Sequence, residues 1–130
     1  MIDAVRCTAE EIRNELDRLA DEDELNHGLG PAALDYHRAA QQTWEWILGE
    51  APSPIFGYQH VSDKTFDDEL RFVYRVIEED NPTHAAELYE ELRGKGFTPD
   101  YLLGAYRALR WLRTGPASSY AHLVHPIPWR

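Results

Sequence analysis

Histidine is the residue type in this chain best suited to metal binding or acid–base catalysis, and six are present. His122 and His125 have a spacing that would place both imidazoles on one face of a helix, where they could share a metal ion. A proline follows directly and disfavours a helix there, and in extended chain the two rings point to opposite sides. A metal-dependent helical-bundle enzyme would instead require His37, His60 or His84 to meet carboxylates from another helix. We keep this enzyme as an alternative and assign no catalytic or metal-binding residue.

The single cysteine does not indicate a catalytic site, and the common catalytic sequence motifs are absent from the chain. Cys7 lies just before Thr8, near the start of a predicted helix, where the pKa of a thiol can be lowered. No base accompanies it in sequence, so we interpret Cys7 as an apolar residue that faces Ile12. The chain has no Gly-rich phosphate loop, no GxSxG, no HExxH and no CxxC. We therefore predict no cofactor.

Three arginines in the last predicted helix form a candidate anion-binding site. Arg107, Arg110 and Arg113 recur at every third position beside Trp111, and residues 101–130 contain no acid. This stripe could hold a phosphate, a carboxylate or single-stranded nucleic acid by charge and stacking. Cations near the end of a helix also complement its dipole. Anion binding is therefore a second alternative.

Carboxylates are the main candidates for a partner-binding surface. The chain has 23 acidic and 13 basic residues, which gives a formal net charge of −10. Such a surface favours a basic protein and disfavours nucleic acid and anionic membranes. The competing interpretation is a solvated face with i, i+4 ion pairs. The candidate carboxylates are Glu15, Asp21, Asp23, Glu24, Asp67, Asp68, Glu78 and Glu79.

Trp46 and Trp111 lie roughly opposite the apolar stripes of their predicted helices. A tryptophan on an outward face is a natural interface anchor, because it buries a large area and keeps one donor. Either residue could anchor a partner or a homodimer. The long connection or the C-terminal tail could equally cover them. We keep both as candidate partner contacts.

Capping signals and hydrophobic periodicity predict two helices in the first half of the chain. Thr8 and Glu11 have capping-box spacing at the start of the first helix. Pro31 suits the first position of the second helix, which Gly49 ends. Apolar residues recur at i, i+3, i+4 and i+7 through that second helix.

The second half of the chain predicts three more helices. The third begins near Thr65, where Thr65-x-x-Asp68 offers a weak capping box. Its apolar arc is the widest in the chain, so we expect this helix at the centre of the bundle. A fourth helix is predicted from an apolar stripe within residues 85–92 and is closed by Gly94 and Gly96, and a fifth begins at Thr98-Pro99.

Two irregular stretches complete the prediction. Residues 49–65 form a long connection that allows a short strand over Ile55–Val61. The tail, Tyr120 to Arg130, is expected to be extended and to dock on the bundle. We therefore predict a single all-α domain over residues 1–130, a compact bundle of about five helices.

The composition leads to predictions of the cellular location of the protein and of its class of function. Hydrophobic residues make up 43% of the chain, and one cysteine cannot form an internal disulfide. No apolar run approaches the length that spans a bilayer, so we expect a cytoplasmic protein. The favoured hypothesis is a non-catalytic module, of the immunity, antitoxin, inhibitor or chaperone kind, that docks an acidic helical surface on a basic protein.

Overall fold

Helices make up the regular structure of the part of the chain that the structure describes. The computed structural model describes residues 2–25, 31–78, 90, 92 and 94–116. In this part of the chain the bounded helices are α1 (Ala9–Leu25), α2 (Pro31–Ile47), α3 (Asp63–Glu78) and α4 (Pro99–Thr114). The all-α prediction is confirmed at this level. The predicted helix over 85–92 lies almost wholly outside the described residues, and the predicted tail over 120–130 lies entirely outside them.

Side-chain caps start two of these helices where the sequence predicts them. The Thr8 amide donates to Glu11 Oε1 at 2.8 Å, and the Glu11 amide donates to Thr8 Oγ1 at 3.1 Å. This reciprocal pair is the predicted capping box of α1. At α4, Thr98 Oγ1 accepts from the Tyr101 amide at 3.2 Å, and Pro99 takes the first helical position.

The start of α3 differs from the predicted box. Ser62 caps this helix: its Oγ accepts from the Thr65 amide at 3.1 Å, and its own amide donates to Thr65 Oγ1 at 2.9 Å. The predicted Thr65-x-x-Asp68 box is wrong because Thr65 is the third residue of a helix already begun. Residues 51–62, where a strand over Ile55–Val61 was allowed, form turns and bends.

The core is centred on α4, which packs most extensively on α2 and also contacts α3, while α1 packs on α2. Ten residues of α4 are buried, on nearly every side of the helix. In α2, Trp44 meets Trp111 of α4 edge to face, with ring centroids 5.5 Å apart. Among the described helices, the central one is thus α4, where the expectation named α3. Its wide apolar arc includes Phe72, which packs against Phe56 of the long connection, and Tyr74, which is 43% exposed.

Candidate functional site

Glu10, Asp17 and Asp21 lie along one exposed line of α1, which we call the α1 acidic ridge. At about 100° per residue, these positions fall within about 40° of one another around the helix axis. Ile12 and Leu19 are buried on the opposite side, so packing of α1 makes the ridge face solvent. No hydrogen bond or ion pair joins the three ridge carboxylates to another side chain in the described ranges.

The carboxylates predicted from sequence differ in what they contact. Asp21 belongs to the ridge, whereas Glu15 is partly buried and pairs with Arg18. Asp67 pairs with Arg71 at 3.0 Å. These pairs are the i, i+3 and i, i+4 contacts of a solvated helix face. Four further candidates have side chains outside those that the structure describes: Asp23, Glu24, Glu78 and Glu79.

Asp68 holds the long connection rather than presenting a free charge. Its Oδ2 accepts from the Tyr58 hydroxyl at 2.9 Å and from Lys64 Nζ at 3.1 Å. These hydrogen bonds, Tyr58 first, lower the pKa of Asp68. Because Tyr58 belongs to the segment between α2 and α3, this carboxylate has a structural partner in the fold.

Arg13 sits among three carboxylates next to the ridge. Its guanidinium makes a two-pronged contact with Glu50, in which Nη1 to Oε2 measures 3.1 Å. This hydrogen bonding, followed by the charges of Glu50, Asp17 and Glu45, raises the pKa of Arg13. The charges of three carboxylates thus act on one cation, and only Glu50 contacts it.

A groove of about 350 Å³ opens beside this cluster, between α1 and α2. We call it the α1–α2 groove. Leu16, Leu19 and Ala20 form its apolar wall. Its polar lining is Arg13, Gln41, Glu45 and Glu50.

A second cavity of about 330 Å³ lies along α2 and shares two lining residues, Gln41 and Glu45, with the α1–α2 groove. Among the described residues, neither side chain has a hydrogen bond or ion pair to another side chain. Gln42, by contrast, donates to the Pro52 carbonyl at 3.2 Å.

Neither candidate tryptophan offers a surface to a partner. Trp46 is 0% exposed and Trp111 is 1% exposed. The Trp46 indole donates to the His60 carbonyl at 3.2 Å, so the long connection covers it. Trp111 packs on Trp44. Both side chains therefore belong to the core of this fold instead of an outward face of their helices.

The three arginines of the candidate anion-binding stripe differ in their burial and in their neighbours. Arg107 and Arg110 are half-buried, and Arg113 is exposed. Burial raises the pKa of the Tyr36 hydroxyl to about 12, and the charge of Arg107 acts against that rise. Arg113 lines an open groove of about 540 Å³ with Arg6, Lys64 and three aspartates. The three cations and three carboxylates balance, so this lining has no excess of positive charge to attract an anion.

The histidines within the described ranges lie in different environments. His37 is 1% exposed in α2, with its ring centroid 6.0 Å from that of Tyr36. His60 is exposed, and its ring stands 5.9 Å from that of Tyr58. Over the described part of the chain, no group of three or more His, Cys, Asp or Glu could hold a metal ion. His84 lies outside it.

One buried carboxylate, Glu69, is not among the residues predicted from the sequence. This side chain is 0% exposed, and its oxygens accept from the Ile55 amide at 3.2 Å and the Phe56 amide at 3.0 Å. Burial raises its pKa, while hydrogen bonds from Ser53 and those two amides act against the rise. Its neighbour Leu70 is also buried, so a carboxylate inside the wide apolar arc of α3 was the available signal. Glu69 fixes the long connection on the bundle.

Cys7 is buried at 5% exposure, and its Sγ donates to the Trp111 carbonyl at 3.7 Å. Burial, followed by the charges of Glu11 and Glu15, raises the pKa of this thiol to about 12. The apolar interpretation of Cys7 agrees with this burial.

Comparison with known proteins gives no template for the site. No family model, no curated protein and no solved structure matches this chain. Among the described residues, no helix is both long enough and apolar enough to cross a bilayer.

Proposed function

We propose that this protein is a small non-catalytic binding module that docks the α1 acidic ridge on a basic surface of another protein. Immunity proteins, antitoxins, inhibitors and dedicated chaperones form this class. The net charge of −10 supports the proposal, as do the exposed carboxylates on one helix. Several charges held on one rigid element can engage a complementary surface together, which speeds association and selects the partner.

One observation carries the proposal: the acidic run from Asp21 to Glu24 occupies the end of α1, which extends to Leu25. The last turn of α1 contains no basic residue. Carboxylates at a helix C-terminus oppose the negative end of the helix dipole, so local stability favours lysine or arginine there. Such breaks of a local rule are expected at functional sites.

Site-specific photo-crosslinking tests the proposal in cells of the native host. A photoreactive residue replaces Asp17 or Asp21, and a matched control carries it at Arg71, an exposed position on α3. We expect one protein of positive net charge to be joined at both ridge positions and absent from the control. Equal capture at Arg71, or no adduct at either ridge position, would contradict the proposal.

Charge reversal then measures the role of the ridge with that partner. We expect Asp21→Lys to slow association at least about tenfold at low salt and to flatten its salt dependence. Asp3→Lys changes the net charge equally at an exposed position outside the helices and should leave association within about twofold. Equal effects of the two variants would mean that net charge alone, and not the ridge, governs binding.

A further inference from the structure

We infer that the α1–α2 groove receives one basic side chain, lysine or arginine, from the partner; this inference rests on the proposed function and identifies its anchor point. The groove adjoins the ridge, because Arg13 lines it and Asp17 follows Arg13 by one turn of α1. A partner laid along the ridge would therefore pass over the groove.

Charge complementarity identifies the occupant as a cation. The guanidinium of Arg13 is already held by both oxygens of Glu50. Glu45 lines the groove as well, so its lining has one carboxylate more than its single cation, and the charge of Asp17 also acts on Arg13. A second cation would balance Glu45, and a guanidinium could take it in a two-pronged hydrogen bond.

The groove lining fits a long basic side chain better than a bare ion. Leu16, Leu19 and Ala20 offer an apolar wall for the methylene stem of lysine or arginine. Gln41, one turn before Glu45 on α2, adds an amide group to the lining. No cluster of three metal-ligating side chains occurs in the described part of the chain, so a divalent metal lacks its donor set.

The second cavity provides room for the neighbouring residues of the partner. It measures about 330 Å³, shares Gln41 and Glu45 with the groove, and continues past Arg38 to Pro52. Arg38 is held by Asp35 at 3.4 Å and lies over the Tyr101 ring. A peptide strand that inserts a basic side chain at Glu45 thus has a continuous surface on which to lie.

A peptide titration followed by NMR tests this inference on the full chain. The probes are the capped tripeptides Ala-Arg-Ala and Ala-Lys-Ala, with Ala-Gln-Ala as the neutral control. We expect the two basic peptides to shift amide signals of Ala20, Gln41 and Glu45, and the neutral peptide to shift none of them. Glu45→Gln should weaken basic-peptide binding at least about fivefold, whereas Asp3→Asn, an equal charge change, should leave it within about twofold.

Two results would overturn the inference. Shifts spread along α1 without Gln41 and Glu45 would indicate diffuse attraction to the ridge, as would equal weakening by Glu45→Gln and Asp3→Asn. With the crosslinked partner in hand, weaker docking of Asp21→Lys but unchanged docking of Glu45→Gln would retain the proposed function and reject the groove. Unchanged docking of both variants would reject the two together.

Discussion

Gly104 of α4 lies against the main chain of Tyr36 in α2, so that a Cβ built on Gly104 would stand 2.2 Å from the Tyr36 carbonyl oxygen. That separation is far shorter than a van der Waals contact, and the atom in the way is backbone. The two helices can approach this closely only because position 104 has no side chain. Gly104 therefore sets the spacing of the most extensive helix pair in the core.

Gly104→Ala is expected to lower the free energy of unfolding by about 1–3 kcal/mol or more, because α2 and α4 must separate to admit the methyl group. Urea denaturation measures the loss. Gly94→Ala is the matched control, since Gly94 is exposed and no atom lies within 4 Å of its Cβ position. It should be neutral or stabilising by up to about 1 kcal/mol. Equal losses in both variants would show that the close approach is not the cause.

The buried carboxylate of Glu69 makes stability depend on pH in a definite direction. Its pKa is raised from the ordinary value of 4.5, so the native state binds this proton more tightly than the unfolded chain does. The resulting contribution to stability is fully present below pH 4.5 and is lost as pH rises through the native pKa. Glu69→Gln cannot titrate. We expect the unfolding free energy of the native protein, relative to Glu69→Gln, to fall as pH rises from 4.5 through the native pKa.

Urea denaturation of both proteins across this pH range isolates the effect, because every other titrating group is common to them. Profiles that run parallel would contradict the raised pKa of Glu69. Glu69→Ala provides a second measurement. It leaves the Ile55 and Phe56 amides without an acceptor, and these amides should then exchange with solvent faster. The loss of stability should be about 1–3 kcal/mol.

The sequence was sufficient for features that depend on neighbouring residues. The capping box of Thr8 with Glu11 and the cap of Thr98 before Pro99 follow from side chains three residues away or fewer, and both are present. The α3 box failed for a local reason, because Ser62 provides an equivalent hydroxyl one turn earlier. Periodicity was therefore enough to locate the helices. The first residue of α3 depended on whether Ser62 or Thr65 caps it.

Features that depend on which helix faces pack together could not be predicted from neighbouring residues in the sequence. The two-sided burial of α2 and α4 covers Trp46 and Trp111, although both lie away from the main apolar stripes. From sequence alone, Gly104 is only a residue of low helix propensity. The structure shows that it packs against the backbone of Tyr36. From sequence alone, Glu69 resembles the other surface acids. The structure shows that the long connection covers it and donates backbone hydrogen bonds to it. Each case is decided by residues distant in sequence.

The candidate site was predicted in composition but not in geometry. The sequence indicated an acidic surface that included Asp21, and α1 presents Asp21 on a line with Asp17. Glu15 and Asp67 carry the same charge, yet ion pairs within their own helices engage them. Charge type is a property of the sequence, whereas availability depends on partners and on burial.

Cys7 should be inert in the native state, since burial raises the pKa of its thiol to about 12. At pH 8, we expect alkylation by iodoacetamide to be slower than that of the unfolded chain by on the order of a hundredfold or more. Mass spectrometry of samples quenched with and without denaturant measures the two rates. Fast modification of the folded protein would mean that α1 and the segment before it open readily.

Trp46→Phe tests whether Trp46 belongs to the core. The change removes the indole donor to the His60 carbonyl and leaves space beneath the long connection, so we expect about 1–3 kcal/mol of lost stability. Leu34→Ala is the control, because Leu34 is apolar and 50% exposed and its truncation should change stability by only about 0.5 kcal/mol. Docking at the α1 acidic ridge should be unaffected by Trp46→Phe under conditions where the variant stays folded. Weaker docking with unchanged stability would instead make Trp46 a partner contact and would contradict its burial.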